Sequence, residues 1–398
     1  MKVLILSVTA GEGHNATARA IRDDLKRIGV SADILDTFDY GQPFLGKLIS
    51  GTCQNLSQKT KGAYRVGYRL SEKRNYETYD WITVISLMLY KKFTKYINSH
   101  HYDVILFTHP FPGMLLNDNK KRGLISQPTV GVLTDFTFHP YWESCVANDY
   151  VVVADKLLLH RAREKGYRDE QILPFGIPIN PKFRDRVDRT EAREKLGLDP
   201  SKRTFLVMGG STGYAGMEAI VKSIDAIKVS RDFQIIAVAG RNDELKDALD
   251  RYAAGTPRHK LLVTGFVDYV SLLMDASDCI ISKPGGLTTS ESLAKNLPMI
   301  IVDPLPGHEE RNAEFLLNNG CAMEATKTAP LEECIFQLLM SDVHLDAMRK
   351  CIASIAKPNS SETLSKFLVS LVAKQKAEKA EKAEKVKRVK TLKSLKTE

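Results

Sequence analysis

Glycines, hydroxyls and charged side chains are concentrated between positions 282 and 312, which read SKPGGLTTSESLAKNLPMIIVDPLPGHEERN. Gly285 and Gly286 stand between an apolar run and a predicted helix over 288–296, which opens with two Thr residues and a Ser. Glycines let a ligand approach the backbone closely, and the N–H groups at a helix N-terminus bind anions. The turn therefore predicts a diphosphate site, although glycines also serve tight packing of a strand against a helix.

Two further groups in this stretch are suited to bind hydroxyls. Glu291 lies about one turn into the helix, where its carboxylate can accept two hydrogen bonds from a ribose; a surface Glu favoured by the helix dipole is the alternative. The loop after the apolar run 299–304 carries His308, Glu309 and Asn312, whose donors and acceptors suit a hexose. A metal site is disfavoured, because His308 and Glu309 are adjacent and adjacent helix residues do not share a face.

Short apolar runs alternate with amphipathic segments along the whole chain. Runs rich in Val, Ile and Leu predict parallel strands that are covered on both faces, at 3–8, 32–37, 103–109, 129–135, 150–155, 172–177, 204–210, 233–240, 260–266, 279–286, 299–304 and 321–325. Each half opens with a strand, a glycine turn and a helix, LILSVTAGEGHNATARAI and then FLVMGGSTGYAGMEAIV. We expect two consecutive doubly wound α/β domains, with ligands at the carboxyl ends of their strands.

The segment GIPINPKFRDR at 176–186 contains two prolines and indicates the junction between these domains. We expect an N-terminal domain over 1–180, a C-terminal domain over 181–356, a helix over 357–373 that packs back on the N-terminal domain, and a basic tail over 374–398. The tail holds ten Lys and Arg against four Glu, so most of the net charge of +9 lies there and says little about nucleic acid. A disordered or frayed tail is expected, with attraction to anionic lipid as the alternative.

Composition excludes several classes of protein. With 43% hydrophobic and 26% charged residues the chain is typical of a soluble globular protein, and no run approaches the roughly 18 apolar residues of a membrane span. The first apolar run ends in Gly-Glu-Gly-His without a small-residue cleavage site, which favours a buried strand over a signal peptide. The six cysteines are scattered and contain no C-x-x-C pair, so we expect neither a zinc site nor disulfides, and a cytoplasmic setting.

The turn GEGHNA at 11–16, followed by Asp36, imitates the fingerprint of a dinucleotide-binding domain. The third glycine of that fingerprint is replaced by Ala16, and His14 stands where a small residue would admit a pyrophosphate. We therefore do not expect a nicotinamide-dependent dehydrogenase.

These motifs carry a resemblance that covers about residues 1–370. GGLTTSE, MIIVDPLPGHEERN, the paired glycine turns and GIPI resemble the glycosyltransferase group of monogalactosyldiacylglycerol synthases, processive diacylglycerol glucosyltransferases and the peptidoglycan lipid II glycosyltransferase. SVTAGEGHNATARAI and VLTDFTFHPYW are more similar to the glycolipid synthases. The resemblance implies a GT-B architecture, in which two Rossmann-like domains face a central cleft. It also implies an inverting UDP-sugar transferase with no cofactor and no bound metal, in which helix N-termini and hydroxyls stabilise the departing UDP.

The resemblance implies that the second half binds the UDP-sugar, through Gly210, Ser211, Phe266, Val267, Gly286, Leu287, Thr288, Glu291, His308, Glu309 and Asn312. Within this set, Glu291 corresponds to the carboxylate that binds the ribose, and Phe266 and Val267 correspond to the uracil pocket. His308 and Glu309 correspond to the pair that contacts the sugar hydroxyls. The first member of that pair is usually an amide, so His308 leaves the donor open between UDP-glucose and UDP-galactose.

The catalytic residues implied by the resemblance lie in the first half. His14 matches the histidine proposed as base, and an imidazole that titrates near neutral pH suits removal of the acceptor proton. Asp135 or His139 is expected to orient or assist it. Without the resemblance, a lone histidine at a helix start is more often structural.

The acceptor implied by the resemblance is diacylglycerol, reached at the cytoplasmic face of the membrane by a peripherally bound protein. Residues 44–80 combine seven Lys and Arg, three acids and five aromatic residues, which suits an anionic headgroup surface, single-stranded nucleic acid or a solvated loop. The apolar segment 81–97 predicts a core helix or one that touches lipid. A polyprenyl-linked or other lipid acceptor is the alternative among enzymes, and a nucleotide- or nucleic-acid-binding protein is the alternative outside them.

Overall fold

A computed structural model describes residues 1–9, 12–41, 81–210, 213 and 216–394. Within these residues the chain forms two parallel six-stranded sheets, one after the other along the sequence. The expected pair of doubly wound α/β domains is confirmed, and every apolar run predicted as a strand overlaps one. The basic and aromatic segment 44–80 lies outside the described residues.

The first sheet has the strand order β2-β1-β3-β4-β5-β6. Its strands are β1 Lys2–Ser7, β2 Ser31–Asp36, β3 Val104–Phe107, β4 Thr129–Val132, β5 Tyr150–Val152 and β6 Ile172–Leu173. The helices of this half are α1 Glu12–Arg27, α2 Thr37–Gly41, α3 Trp81–His100, α4 Pro110–Lys121 and α5 Leu159–Glu164. The order changes direction between β1 and β3, so the carboxyl ends of these two strands border a ligand crevice.

Both faces of the first sheet are buried, as the continuous apolar runs require. Val3 and Ile5 pack in one apolar cluster with Ile21 of α1, while Leu4 packs in another with Phe93 of α3. Leu89, Phe93 and Ile97 lie on one face of α3 and are buried. The described part of α3 is therefore a core helix, which was one of the two alternatives for segment 81–97.

The second sheet has the order β12-β11-β10-β7-β8-β9. Its strands are β7 Arg203–Met208, β8 Phe233–Val238, β9 Lys260–Thr264, β10 Cys279–Ser282, β11 Met299–Ile301 and β12 Ala322–Glu324. The helices of this half are α6 Arg189–Lys195, α7 Met217–Asp225, α8 Asp243–Ala253, α9 Val270–Asp275, α10 Gly286–Ala294, α11 His308–Asn318, α12 Leu331–Met340 and α13 Asp342–Ile355. Its switch point lies between β7 and β10, where the segment 282–312 begins.

The last helix, α14 Ser360–Ser394, returns to the N-terminal half. Leu364, Leu368 and Val372 pack in the apolar cluster that contains Ile21 of α1. The helix continues without a break beyond residue 373, so the expectation of a frayed tail is wrong as far as Ser394, consistent with the high helix propensity of its Ala, Glu and Lys residues. None of the helices in the described ranges has the length and apolar character required to cross a membrane.

Candidate active site

His14 lies in the first turn of α1, the helix that follows strand β1. Its Nδ1 atom is 2.7 Å from the carbonyl oxygen of Thr108, which follows β3, and 3.1 Å from Oγ1 of Thr134, which follows β4. A carbonyl can only accept, so we assign the ring proton to Nδ1. In the neutral ring Nε2 then carries the lone pair, and this is the atom that can accept a proton from a substrate.

The surroundings of His14 favour the neutral ring. Burial lowers the pKa of His14 below its ordinary value of 6.5, and His308 lowers it further, while the carboxylate of Asp135 and the carbonyl of Thr108 act in the opposite direction. The neutral ring is the form in which a histidine can act as a base. The influence of His308 also places the loop that begins α11 near His14.

His109 is the histidine in ring contact with His14, at 4.8 Å between centroids and 79° between planes. Its Nδ1 accepts a hydrogen bond from the Phe111 N–H at the start of α4, and burial lowers its pKa well below 6.5. His139 begins a separate turn, where its Nδ1 accepts from the Tyr141 N–H. Sequence reasoning missed His109, although its position at the end of a predicted strand is the same signal that singled out His14.

Asp135 is held by a residue of the other domain. Nδ2 of Asn312 donates to Oδ1 of Asp135 at 2.9 Å and to the carbonyl oxygen of Pro284 at 2.9 Å, and Oδ1 of Asn312 accepts from the Phe136 N–H at 2.8 Å. Asn312 is fully buried. The prediction that Asn312 binds the UDP-sugar therefore needs correction, because both of its N–H groups are used by protein atoms and its side chain does not reach the cleft surface.

Among the glycines, Gly286 is the one that lies closest to the other domain. A Cβ atom placed on it would lie 1.8 Å from the carbonyl oxygen of Thr134 and 3.1 Å from Cα of Asp135. A glycine is therefore required here by the backbone of the other domain and not by a ligand alone. Since Oγ1 of Thr134 also contacts His14, one residue touches both the candidate base and the candidate diphosphate turn.

The helix α10 begins at Gly286, two residues earlier than the sequence indicates. Its N-cap, Gly285, has no side chain to cap it, and the N–H groups of the first turn have no partners within the helix. Ser290 does not line the helix entrance as expected, because its hydroxyl donates to the Gly286 carbonyl at 2.8 Å. Leu287 and Thr288 are partly exposed in that first turn, so the candidate diphosphate site consists of backbone N–H groups and Thr288.

Glu291 has the most perturbed carboxylate of this segment. Its side chain is partly exposed, but desolvation by its surroundings raises its pKa from 4.5 to about 8. Within the described ranges, no hydrogen bond or ion pair reaches this carboxylate. An unpartnered, poorly hydrated carboxylate is well suited to accept hydroxyl groups from a ligand.

The loop before α11 is fixed by its own carboxylates. Oε2 of Glu309 accepts from the Leu305 N–H at 2.7 Å, and Oε2 of Glu310 accepts from the Gly307 N–H at 3.0 Å. The other oxygen of Glu309 points toward Gly285, where a Cβ atom would lie 4.0 Å away. Glu309 is thus placed beside the candidate diphosphate turn, and His308 is the first residue of α11.

The candidate uracil pocket lies at the end of β9. Phe266 is 60% exposed, and the guanidinium of Arg241 stacks on its ring at 4.4 Å, while Val267 packs against the core. Gly210 has a φ of +73° at the end of β7, as a tight turn requires. Ser211 lies outside the described residues.

The dinucleotide alternative is not supported by the geometry. Oδ2 of Asp36 accepts from the backbone and hydroxyl of Thr9, and its Oδ1 accepts from the backbone N–H groups of Phe38 and Asp39. Asp36 therefore holds the β1–α1 turn and the start of α2, and it is not available to a ribose. In the part of the chain that the structure describes, no three His, Cys, Asp or Glu side chains converge as metal ligands would.

Two protein families match the chain in succession. Residues 14–179 match the model of monogalactosyldiacylglycerol (MGDG) synthase, and residues 204–395 match the model of the glycosyltransferase family 28 C-terminal domain. The two matches span both domains and all the described candidate site residues. The chain is similar to these glycosyltransferases along both of its domains. It is therefore an enzyme that transfers a sugar, and the resemblance read from its motifs is confirmed.

Full-length relatives and a solved structure agree with this assignment. The glycosyltransferase is 28% identical over 373 residues to a processive diacylglycerol beta-glucosyltransferase of Bacillus licheniformis, covering 91% of this chain and 93% of that one. It is also 28% identical over 389 residues to the enzyme of the same name from Bacillus subtilis, covering 94% and 98%. The crystal structure of MurG from Acinetobacter baumannii superposes with a TM-score of 0.63 at 15% identity, over 93% and 99% of the chains. At that identity the likeness shows the fold alone, and it confirms the GT-B architecture.

Proposed function

We propose that the protein transfers glucose or galactose from a UDP-sugar to diacylglycerol, with inversion at the anomeric carbon, and so makes a membrane glycolipid. One observation carries the mechanism: Thr134 contacts His14 of one domain through its hydroxyl and Gly286 of the other through its carbonyl oxygen. The candidate base and the candidate nucleotide-binding helix are therefore neighbours across the cleft. The choice of diacylglycerol as the acceptor rests on the full-length relatives.

The reaction needs a base on the acceptor side. The acceptor hydroxyl oxygen forms a bond to the anomeric carbon, the bond from that carbon to UDP breaks, and the hydroxyl proton passes to Nε2 of His14. The hydrogen bond from Nδ1 to Thr108 holds the ring in the tautomer that leaves Nε2 free. Asp135 raises the pKa of His14 and so favours the imidazolium that forms.

The departing UDP needs stabilisation on the donor side. In this proposal the N-terminus of α10, with Leu287 and Thr288, receives the diphosphate, and Gly210 and Ser211 assist it. Glu291 accepts the ribose hydroxyls, and the uracil stacks at Phe266 and Val267. Backbone donors fixed before the reaction can neutralise developing charge at no cost in reorganisation, so the proposal includes no bound metal or cofactor.

The donor hexose depends on His308 and Glu309. Glu309 is held rigidly by the Leu305 N–H, which favours a fixed contact to one or two sugar hydroxyls. The relatives are named for glucose and the N-terminal family for galactose. We favour UDP-glucose, because the relatives match along both domains and donor contacts come from the C-terminal one.

We infer that the protein works peripherally at the cytoplasmic face of the membrane. Its acceptor is a lipid, and residues 44–80 combine a net charge of +4 with five aromatic residues, which provides attraction to anionic headgroups and shallow insertion. The proposal needs no interaction with nucleic acid.

The deciding experiment uses radiolabelled UDP-glucose and UDP-galactose in parallel with vesicles that contain diacylglycerol, followed by chromatography of the lipid phase. We expect labelled glycosyl-diacylglycerol from one donor, with UDP released in equal amount. Vesicles with a polyprenyl phosphate acceptor in place of diacylglycerol form the second arm. Label in the second arm alone would replace diacylglycerol by a polyprenyl-linked acceptor, and no transfer in either arm together with tight binding of nucleic acid would overturn the proposal.

A further inference from the structure

Asn312 links the two domains through hydrogen bonds of its carboxamide. It belongs to α11 in the C-terminal half, and its carboxamide is bonded to two consecutive residues of the loop after β4, Asp135 and Phe136, which lie about 180 positions away in the sequence. The third bond, to the carbonyl of Pro284, ties the same carboxamide to the turn that precedes α10. Packing supports the contact, since the rings of Phe136 and Phe315 lie 4.9 Å apart.

The loop that Asn312 holds is the loop that surrounds the candidate base. Thr134 contacts His14 through its hydroxyl, and Asp135 acts on His14 through its charge. The bond to the Phe136 N–H fixes the backbone of this loop, and the bond to Oδ1 of Asp135 fixes the direction of its carboxylate. Both bonds are made by the other domain, so both would be lost if the two domains moved apart.

We propose that Asn312 is a positioning residue that acts through Asp135 on His14, so that the base is fully assembled only while the domains are in contact. The inference rests on the proposed function, because it assigns Asn312 a role in the same transfer reaction. When the cleft is open, these contacts are lost and His14 is no longer oriented as a base. Water that enters the open cleft then finds no oriented base to activate it against the UDP-sugar.

The contrasting role is direct contact with the sugar, and the two roles predict different kinetics. Loss of a sugar contact weakens binding of the UDP-sugar and raises its KM. Loss of a positioning contact lowers kcat and largely preserves UDP affinity, because Asn312 bonds to the Pro284 carbonyl, which precedes the residues proposed to hold UDP.

The test compares Asn312→Ala and Asn312→Asp with the matched control Gln234→Ala. Asn312→Asp keeps the shape and the acceptor for the Phe136 N–H but removes the donor to Asp135. Gln234 is also fully buried and also makes three hydrogen bonds, to Asp199 and Thr204, but it lies at the end of β8 opposite the cleft. Thermal melting and UDP binding establish that each variant is folded.

We expect both Asn312 variants to lower kcat by about 10- to 100-fold, the range for a misplaced catalytic group, with UDP affinity within about twofold of the parent. The groups that face His14 are Asp135 from the loop after β4, His109 at the N-cap of α4 and His308 from α11. Only the first of these is an acid. In Asn312→Ala the acid limb of the kcat profile should therefore move to lower pH, because a displaced Asp135 no longer supports protonation of His14. Gln234→Ala should lose stability without a shift of that limb.

A double-mutant cycle completes the test. In an Asp135→Asn background, Asn312→Ala should lower kcat by no more than about twofold further, since the two residues act as one unit. Additive losses, an unchanged acid limb, or a raised KM at unchanged kcat would each overturn the inference. These results leave the proposed function intact as long as the parent enzyme transfers sugar to lipid, and an inactive parent would instead reject the function itself.

Discussion

The Nδ1 atom of His14 lies 2.7 Å from the carbonyl oxygen of Thr108, so the main chain after β3 fixes the ring that follows β1. The two strands are neighbours in the sheet although about 100 residues separate them in the sequence. The orientation of the candidate base is thus a property of the central pair of strands. This makes His14 a rigid group and directs Nε2 away from the carbonyl.

His14→Ala should lower kcat by about 10²- to 10⁴-fold, which is the usual cost of a lost general base, and should preserve UDP binding in the other domain. For the parent enzyme, the lowered pKa of His14 predicts that kcat holds its plateau to below pH 6.5 and declines only at lower pH. Steady-state kinetics across pH 5–9 measure both effects. His160→Ala, at an exposed histidine of the same domain, should leave the profile unchanged. Full turnover in His14→Ala would place the base elsewhere, with Asp135 the first candidate.

Glu291 should couple UDP binding to proton release. Its pKa of about 8 leaves most of the carboxyl protonated at pH 7, and hydroxyl donors of a ribose favour the charged form and lower the pKa. UDP affinity should therefore rise as pH increases from 6 toward 8, and calorimetry in buffers of different ionisation enthalpy should detect a proton released at pH 7. Glu291→Gln should abolish the pH dependence, and Glu291→Ala should cost about 1.5–3 kcal/mol for each lost bond.

The exposed Glu314 offers a matched control for that experiment, because Glu314→Gln removes a carboxylate of the same domain. Unchanged affinity in a folded Glu291→Ala protein would refute the ribose assignment.

The raised pKa of Glu291 also affects the stability of the fold. Folding favours the protonated form of Glu291, so its contribution to stability is present below pH 4.5 and is lost as pH rises through 8.

Gly286→Ala should separate the domains, while Gly285→Ala should not. The added Cβ at 286 would lie 1.8 Å from the Thr134 carbonyl oxygen, a contact that only a backbone shift can relieve, whereas the Cβ at 285 would meet only Glu309, at 4.0 Å. We expect Gly286→Ala to lower the melting temperature and to expand the molecule in small-angle scattering. Equal melting temperatures for the two variants would show that the close approach of Gly286 to Thr134 is not needed for stability.

Binding to anionic vesicles should depend on residues 44–80 more than on the tail. The docked part of α14 ends where Gln375 donates to the Ser126 carbonyl and Lys376 pairs with Asp103, and residues 377–382 beyond it are exposed. A chain that ends at Ala373 should keep most of its vesicle binding, and a variant with neutralised Lys and Arg at 44–80 should lose it. Sedimentation in 0.15 M and 1 M salt measures this, because the Debye length falls from about 8 Å to 3 Å. Loss of binding only on removal of the tail would place the membrane contact in α14.

The strands of both sheets were predictable because a strand that is buried on both faces needs a continuous apolar run, which is a local property of the sequence. His109 shows where local reasoning was incomplete. The strand before it was recognised, but only the strand order, with β3 beside β1, places its ring against His14.

The sequence by itself determined the alternation of strands and helices, the two glycine turns and the residue types of the candidate site, because each of these depends on neighbours within a few positions. It did not determine what Gly286 and Asn312 contact. Residue 286 must be a glycine because the carbonyl oxygen of Thr134 lies where a Cβ atom would be. The Asn312 carboxamide is hydrogen-bonded to Asp135 and Phe136, so the contacts of both residues are made by the other domain. Contacts between residues about 150 or more positions apart depend on how the two folded domains pack against each other. This packing produces no periodicity and no motif spacing in the sequence.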